Sequence, residues 1–392
     1  MNWLHRFFVR YFELARGGQA ANLRPMEGMR GFAVFLVFQV HYATLVSPWL
    51  VNAGAAEAIF SGLHGIGNAG VDLFFVLSGY LIYATLIESS RPFGGYLARR
   101  VLRIYPTFLV VFAVYLVLTQ LQPEAQRKVP HQDLEATVYI AQNLLLLPGI
   151  FTIEPLISVA WSLSYEMFYY LLMPLLIGVF GLRGCTRAWR MGFFCVLGLL
   201  AFSAAAVWGG PVRLTLFLAG VLLYELLAQG RWLAPRASVA ALALLGCLAA
   251  LLIPMPGPAG QALRSAVLCT GFFVLCWNCF AQPQGGLARL FSVTPLRWLG
   301  NMSYSYYLVH GLSLQVFFLV VGKLLGPTRS DALAVLMMAP AFLFTLLPSA
   351  MLFLCIERPL SLVPALSRRP ADKVKPLTWL RTKPRQGEAN EA

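Results

Sequence analysis

The feature that most constrains this chain is a series of long apolar segments repeated along almost its whole length. Ten can be drawn in the 392 residues, and each is close to the roughly 20 residues that a helix needs to cross a bilayer. Because lipid offers the backbone no hydrogen-bond partners, such segments are expected to be helices. The segments are 30–50, 69–88, 104–121, 158–180, 191–208, 212–228, 237–254, 262–280, 299–321 and 333–356.

The composition fits a chain that lies mostly in lipid. Hydrophobic residues make up 59% of the sequence and charged residues only 12%, whereas a soluble globular chain carries about 25% charged residues. We therefore predict an all-α, polytopic integral membrane protein with about ten transmembrane helices, in contact with membrane lipids.

The positive charge is concentrated in particular loops. The formal net charge is +14, and arginines follow the second, fourth, sixth, eighth and tenth segments, while most other loops are poor in Lys and Arg. Basic loops stay on the cytoplasmic side, so both termini are predicted to be cytoplasmic. Because the charge follows membrane topology, it does not indicate a nucleic-acid partner. These arginines are Arg91, Arg99, Arg100, Arg103, Arg183, Arg187, Arg190, Arg231, Arg236, Arg289, Arg297, Arg358, Arg368 and Arg369.

Three regions are predicted along the chain. Residues 1–22 alternate basic and apolar side chains at helical spacing, which is typical of an amphipathic helix on the membrane surface. Residues 23–360 form the transmembrane domain, and 361–392 form a basic, disordered cytoplasmic tail. Within the domain, 122–157 contains a polar run and an apolar stretch too short to span, so we expect an outer loop and a re-entrant or interfacial helix.

The cysteines do not predict a metal or redox site. Cys276 and Cys279 form a CxxC, but it lies in the apolar FFVLCWNCF without a second cysteine or histidine pair nearby. Small core-filling side chains are the simpler interpretation. We therefore expect no metal and no tightly bound cofactor.

One ionisable residue lies deep inside the first apolar segment. His41 is eleven positions after Arg30, which places it roughly 16 Å along the helix axis, about half the thickness of the hydrocarbon core. Ionisable groups at that depth are costly and usually mark a functional path or site. The alternatives are packing for His41 and membrane anchoring for Arg30.

Three arginines lie close together at the start of the third segment. Arg99, Arg100 and Arg103 occur in RRVLRIYP, and forked guanidinium donors suit the recognition of phosphates. We predict that they bind a cytoplasmic anionic ligand. The alternative is that they only anchor the segment at the membrane surface.

Other polar side chains lie inside later segments. Glu166 is about eight residues into the fourth, and we expect it to orient His41, or an incoming hydroxyl, from the outer side. Structural alternatives are an outer helix cap for Asp72 and simple packing for His310. Further candidates are Asp72, Ser78, Trp161 and His310.

Together these groups suggest acyl transfer. A histidine can deprotonate a hydroxyl or accept an acyl group, and nearby positive charge stabilises the developing oxyanion. The alternative from another class is a transporter or flippase of a lipid-linked glycan, because midplane ionisable residues also occur in transporters. A non-catalytic scaffold is a third possibility, although it has no need for buried ionisable groups.

The motifs, taken in order, resemble those of the membrane-bound acyltransferase 3 family. The matching segments are EGMRGFAVFLVFQVH, GVDLFFVLSGYLI, RRVLRIYP, WSLSYEMFYY, LGNMSYSYYLVHG and ERP, which extend over about residues 23–360. Each is a weak signal alone, but six in one order are a strong one. The chain departs from the family pattern at Glu27, where relatives often have Asp, and at Glu166, where many relatives carry two acids.

The resemblance implies a multi-pass protein of the bacterial inner membrane. It implies transfer of an acyl group, most often acetyl, from cytoplasmic acyl-CoA to a hydroxyl of a cell-surface polysaccharide, lipopolysaccharide, peptidoglycan or lipid-linked glycan. Acyl-CoA is then a donor substrate rather than a resident cofactor.

The resemblance also implies roles for particular residues. Arg30 and His41 match the pair that the family requires, and Glu166 matches the acid of its WSLSxE motif. Arg100 and Arg103 match the inner arginine motif. We extend the expected acyl-CoA site to the neighbouring Arg99 and Tyr105.

Overall fold

The computed structural model describes residues 9–14, 20–51, 54–88, 92–124, 127–230, 232–326 and 328–362. The amphipathic helix predicted over 1–22 and the tail predicted over 361–392 lie largely outside the described residues. Arg91, Arg231, Arg368 and Arg369 lie outside them as well.

The regular secondary structure of the described residues is helical, and these residues contain no β-strand. The α-helices are α1 (Ala20–Val46), α2 (Ala55–Gly67), α3 (Ala69–Ile87), α4 (Phe93–Gln120), α5 (Asp133–Leu144), α6 (Trp161–Val179), α7 (Arg187–Trp208), α8 (Thr215–Gln229), α9 (Ala237–Ala249), α10 (Gly257–Ala281), α11 (Gly286–Leu290), α12 (Thr294–Asn301), α13 (Ser303–Leu325), α14 (Asp331–Leu336) and α15 (Met338–Leu352). A π-helical segment, Phe353–Leu362, follows α15.

Nine helical stretches among the described residues are long and apolar enough to cross a membrane. They correspond to nine of the ten predicted segments. The remaining segment, predicted over 237–254, forms the shorter apolar helix Ala237–Leu252. The protein is thus an all-α, multi-pass membrane protein, as predicted.

Glycines let two pairs of helices cross with their backbones in contact. A Cβ atom on Gly31 of α1 would lie 2.0 Å from the carbonyl oxygen of Leu296 in α12, and one on Gly79 of α3 would lie 2.0 Å from that of Phe217 in α8. Any larger side chain would push these helices apart, as at other small-residue crossings in membranes. The first crossing fixes the position of α1, which carries both Arg30 and His41.

The region between α4 and α6 departs from the simple up-and-down order. Helix α5 has 12 residues, too few to span the hydrocarbon core. The chain that follows α5 enters the bundle, where the Val159 carbonyl accepts a hydrogen bond from the Tyr307 hydroxyl at 3.0 Å. This irregular backbone is tolerated because protein covers it.

Candidate functional site

A cavity of about 210 Å³ lies among α1, α3, α4, α6 and α13. Three guanidinium groups and one carboxylate face it, so its lining carries a net positive charge. We call it the arginine cavity. Its polar lining residues are Arg30, Ser78, Arg100, Arg103, Ser162, Glu166, Tyr170, Asn301, Ser303, Tyr304 and Tyr307.

Arg30 is held at the wall of this cavity by the start of α13. Its Nη2 and Nε atoms donate to the Ser303 hydroxyl at 2.9 and 3.2 Å. Its guanidinium carbon lies 5.7 Å from the centre of the Phe74 ring, a distance typical of a cation–π contact. The guanidinium is therefore oriented before any ligand arrives.

Arg103 is paired with a buried carboxylate that the sequence did not single out as a site residue. Its Nη1 lies 2.6 Å from Oε1 of Glu357, which is fully buried. The other oxygen of Glu357 accepts from the backbone N–H of Ser305 at 3.1 Å and from its hydroxyl at 2.6 Å. Glu357 thus satisfies an otherwise unpaired N–H in the first turn of α13. The ERP motif was the available sequence signal for it.

Arg100 and Glu166 share the same cavity. The Arg100 guanidinium lies over the rings of Tyr96 and Tyr170, at 5.4 and 5.0 Å. The Tyr170 hydroxyl donates a hydrogen bond to Glu166. We expected Glu166 to orient His41, or an incoming hydroxyl, from the outer side, and the structure places it in the cavity with the arginines. The spacing of Glu166 and Tyr170, one helical turn apart on α6, directs both towards the cavity.

Two residues expected at the acyl-CoA site, Arg99 and Tyr105, do not line the arginine cavity. The Tyr105 hydroxyl donates to the Leu144 carbonyl at 2.9 Å and so fastens α5 to α4. For Tyr105 the physical reason is helical periodicity, because it is rotated about 200° from Arg103 around α4. Arg99 lies on nearly the same side of α4 as Arg103 but one turn closer to its start. Ser78, in contrast, faces the cavity as one of its polar lining residues.

His41 does not line the arginine cavity but lies against a second histidine. The ring centres of His41 and His310 are 4.8 Å apart, in an edge-to-face arrangement. His310 is fully buried, whereas His41 is half-buried. The sequence identified both residues but gave no sign that they meet, because 269 positions separate them.

An aromatic wall, formed by Phe74 and Tyr307, lies between the cavity and the histidines. The two rings are 6.4 Å apart and both line the cavity. The centre of the Tyr307 ring is 6.0 Å from that of His310. The Tyr307 hydroxyl accepts from Ser162 at 2.8 Å and donates to the Val159 carbonyl, which holds the ring in place.

Asp72 and Trp161 belong to a separate cluster. The buried carboxylate of Asp72 lies 3.4 Å from Nε of Arg213. The Arg213 guanidinium lies 5.5 Å from the centre of the Trp161 ring. Asp72 thus pairs with a cation from the loop before α8 rather than capping its own helix, for which no side-chain cap is present. Arg213 was not predicted as a site residue, although it lies at the very start of the sixth predicted segment, 212–228.

Comparison with known families decides what kind of protein this is. A family model described as an acyltransferase domain matches residues 25–355. The chain belongs to the acyltransferase 3 family. It is accordingly a membrane enzyme that transfers acyl groups, and the family predicted from the sequence motifs is confirmed.

Curated relatives carry acyltransferase names. The acyltransferase MdmB of Streptomyces mycarofaciens is 25% identical over 356 residues, which cover 82% of this chain and 88% of MdmB. The putative peptidoglycan O-acetyltransferase YrhL of Bacillus subtilis is 25% identical over 73% of this chain and 47% of its own length. The O-acetyltransferase OatA of Staphylococcus aureus is 27% identical over 74% of this chain.

The match to OatA covers 50% of that protein, so the chain spans about half the length of both OatA and YrhL. No solved structure matches the chain. Membership of the family is therefore established by sequence similarity alone.

Proposed function

We propose that this enzyme transfers an acetyl group from cytoplasmic acetyl-CoA to a hydroxyl of a cell-surface glycan, in the inner membrane of a bacterium. The observation that carries the proposal is the position of Arg30 and His41. Both lie on α1, with Arg30 in the arginine cavity and His41 beyond the aromatic wall. One helix thus links a site suited to an anion with a site suited to acyl chemistry.

The arginine cavity is the proposed donor site. Guanidinium groups bind phosphate oxygens through paired N–H donors, and Arg30, Arg100 and Arg103 all face this cavity. Its volume of about 210 Å³ is smaller than the roughly 300–1,000 Å³ of pockets that enclose drug-sized ligands. We therefore assign to it the phosphate-bearing part of acetyl-CoA, while the flexible arm carries the thioester past the aromatic wall.

Two routes are open at His41. In the first, His41 takes the proton of the acceptor hydroxyl as its oxygen attacks the thioester carbonyl, and CoA leaves as the thiol when the C–S bond breaks. In the second, a ring nitrogen of His41 attacks the carbonyl and the displaced CoA takes up a proton. The acceptor hydroxyl then attacks the acyl-imidazole, and the proton it loses returns to the ring.

The name of one relative supports a glycan acceptor, and the name of a second supports transfer of acetyl to an oxygen atom. YrhL is named a putative peptidoglycan O-acetyltransferase and OatA an O-acetyltransferase. The Asp72, Trp161 and Arg213 cluster lies near the predicted outer end of the bundle, with polar groups beside an aromatic face. An acceptor that reaches His41 from that end would meet the acyl group on the side opposite the arginines.

The test uses membranes of a strain that expresses the protein, supplied with radiolabelled acetyl-CoA at a concentration below the wild-type KM. We expect label to enter glycan with the wild type, and much less label with Arg100→Gln. Arg289→Gln is the matched control, because Arg289 is an exposed arginine that does not line the cavity. Movement of a glycan without covalent labelling would instead support a flippase, and labelled glycan at the wild-type level in Arg100→Gln would contradict the assigned donor site.

A further inference from the structure

The tautomer of His310 follows from its hydrogen bonds. Its Nδ1 atom lies 3.0 Å from the carbonyl oxygen of Tyr306 and 2.9 Å from that of Tyr307. Carbonyl oxygens only accept hydrogen bonds, so Nδ1 must carry the hydrogen. In the neutral ring, Nε2 is then left with its lone pair and acts as an acceptor.

This acceptor nitrogen has no hydrogen-bond partner within the described part of the chain. Nε2 is buried, and His310 as a whole is fully buried. An unpaired buried polar atom costs about 1–3 kcal/mol. A helix that needed only packing at this position would be better served by an apolar residue. Nε2 is therefore suited to a partner that arrives during the reaction.

The surroundings hold the His310 ring against His41. The Tyr306 ring stacks on it at 5.2 Å with an interplanar angle of 11°. The Tyr306 hydroxyl is itself held by Thr345, whose hydroxyl donates to it at 2.9 Å. His41 meets the His310 ring at 4.8 Å and at an angle of 72°. His310 is thus held in place, whereas the His41 beside it is only partly buried.

We propose that His310 is a positioning residue whose Nε2 accepts the N–H of His41 when donor is bound. The inference rests on the proposed function and assigns the orienting role to His310, in place of the Glu166 expected from the sequence. One nitrogen of His41 then donates to His310, and the other presents its lone pair to the acyl carbonyl or to the acceptor hydroxyl. A base held by a third group in this way is a recurrent catalytic arrangement.

The same contact serves both routes at His41. When His41 takes a proton, or attacks the thioester, positive charge develops on its ring. The Nε2 lone pair of His310 accepts a hydrogen bond from the His41 ring nitrogen that does not react, and so stabilises that charge. In the acyl-imidazole route, the proton passes from His41 to the departing thiolate, and His310 ends the cycle unchanged.

Two amide substitutions separate this role from packing. In His310→Gln the amide oxygen can occupy the place of Nε2, while in His310→Asn the amide reaches only the place of Nδ1. We expect His310→Gln to lower kcat about 10-fold and His310→Asn about 1,000-fold, with the KM for acetyl-CoA unchanged in both. The proposal would be overturned if both variants lost kcat equally, if His310→Asn kept a higher kcat than His310→Gln, or if both kept the wild-type kcat.

Chemical rescue keeps the test decisive if the amide variants fold poorly. Membranes containing the full-length His310→Gly variant are assayed with added imidazole or pyrrole, which have the same ring size. Both rings carry an N–H, but pyrrole lacks the acceptor lone pair. We expect imidazole to raise the kcat of the His310→Gly variant at least about 10-fold and pyrrole to leave it unchanged. Rescue by both rings or by neither would overturn the proposal. Failure of the proposed function would instead appear as an absence of transfer from acetyl-CoA by the wild type.

Discussion

The arginine cavity and the histidine pair differ in how their polar groups are satisfied. In the cavity, Arg30 is held by Ser303, and Arg103 by the buried Glu357. Beyond the aromatic wall, His41 lies against the buried His310, and Nε2 of His310 has no hydrogen-bond partner among the described residues. The arginines of the cavity already have hydrogen-bond partners, whereas the histidine pair has an acceptor nitrogen without one among the described residues.

This difference indicates a division of work. Prearranged cations suit the binding of an anionic donor, because little reorganisation is needed when the ligand arrives. An imidazole with an available lone pair suits proton or acyl transfer. Helix α1 is common to both regions, so its position relates the two sites. Substitutions in one region should then change a different kinetic constant from substitutions in the other.

The largest effect is expected from His41→Ala. Loss of the group that acts as base or nucleophile should lower kcat at least about 1,000-fold. Donor binding should persist, because His41 does not line the cavity. Acetylation of the cell's glycan, measured by mass spectrometry in a complemented deletion strain, checks the first point. Full acetylation with His41→Ala would refute both routes at His41.

The next effect concerns the buried ion pair of the cavity. Arg103→Ala leaves Glu357 buried without its cation, which should destabilise the protein by about 3–5 kcal/mol. The double variant Arg103→Ala, Glu357→Gln removes that uncompensated charge and should recover much of the stability without recovering donor binding. Thermal unfolding in detergent, with and without acetyl-CoA, measures both quantities. If the double variant were no more stable than the single one, the ion pair would not be the cause.

A smaller effect is expected where α1 crosses α12. In Gly31→Ala the new methyl group would lie 2.0 Å from the Leu296 carbonyl oxygen, and such overpacking costs about 1–3 kcal/mol. Because α1 moves as a unit, both kcat and KM should worsen. Gly192→Ala in α7 is the matched control, since nothing lies within 4 Å of the position that its new Cβ atom would take. Similar losses in the two variants would show that the crossing does not position the site.

The smallest expected effect is a difference in the KM for acetyl-CoA between substitutions of two neighbouring arginines of α4. Arg100→Gln should raise the KM for acetyl-CoA about 10-fold, since a hydrogen bond to a charged group contributes about 1.5–3 kcal/mol. Arg99→Gln should change it less than about 2-fold, because Arg99 does not line the cavity. Donor saturation curves measured on membranes give both values. A larger effect for Arg99→Gln would favour the sequence-based assignment of all three arginines to the donor.

The sequence predicted the helices of this molecule better than the contacts between residues on different helices. Apolar length located the nine helices among the described residues that are long enough to cross a membrane, because a bilayer imposes that length directly. The segment predicted over 237–254 is shorter than expected. The distance between Arg30 and His41 followed from the rise of one helix. Helical periodicity alone did not reveal that Glu357 pairs with Arg103, that His310 meets His41, or that Glu166 faces the arginines. Those contacts depend on how distant helices cross, and the glycines that set the crossings carry no polar signal.

The most direct test of the division between the two regions is equilibrium binding of CoA to the purified full-length protein. We predict that His41→Ala binds CoA as tightly as the wild type, although it transfers no acetyl group. Arg100→Gln should bind about 10-fold more weakly. If His41→Ala weakened CoA binding as much as Arg100→Gln did, the two regions would form a single binding site and the account would be contradicted.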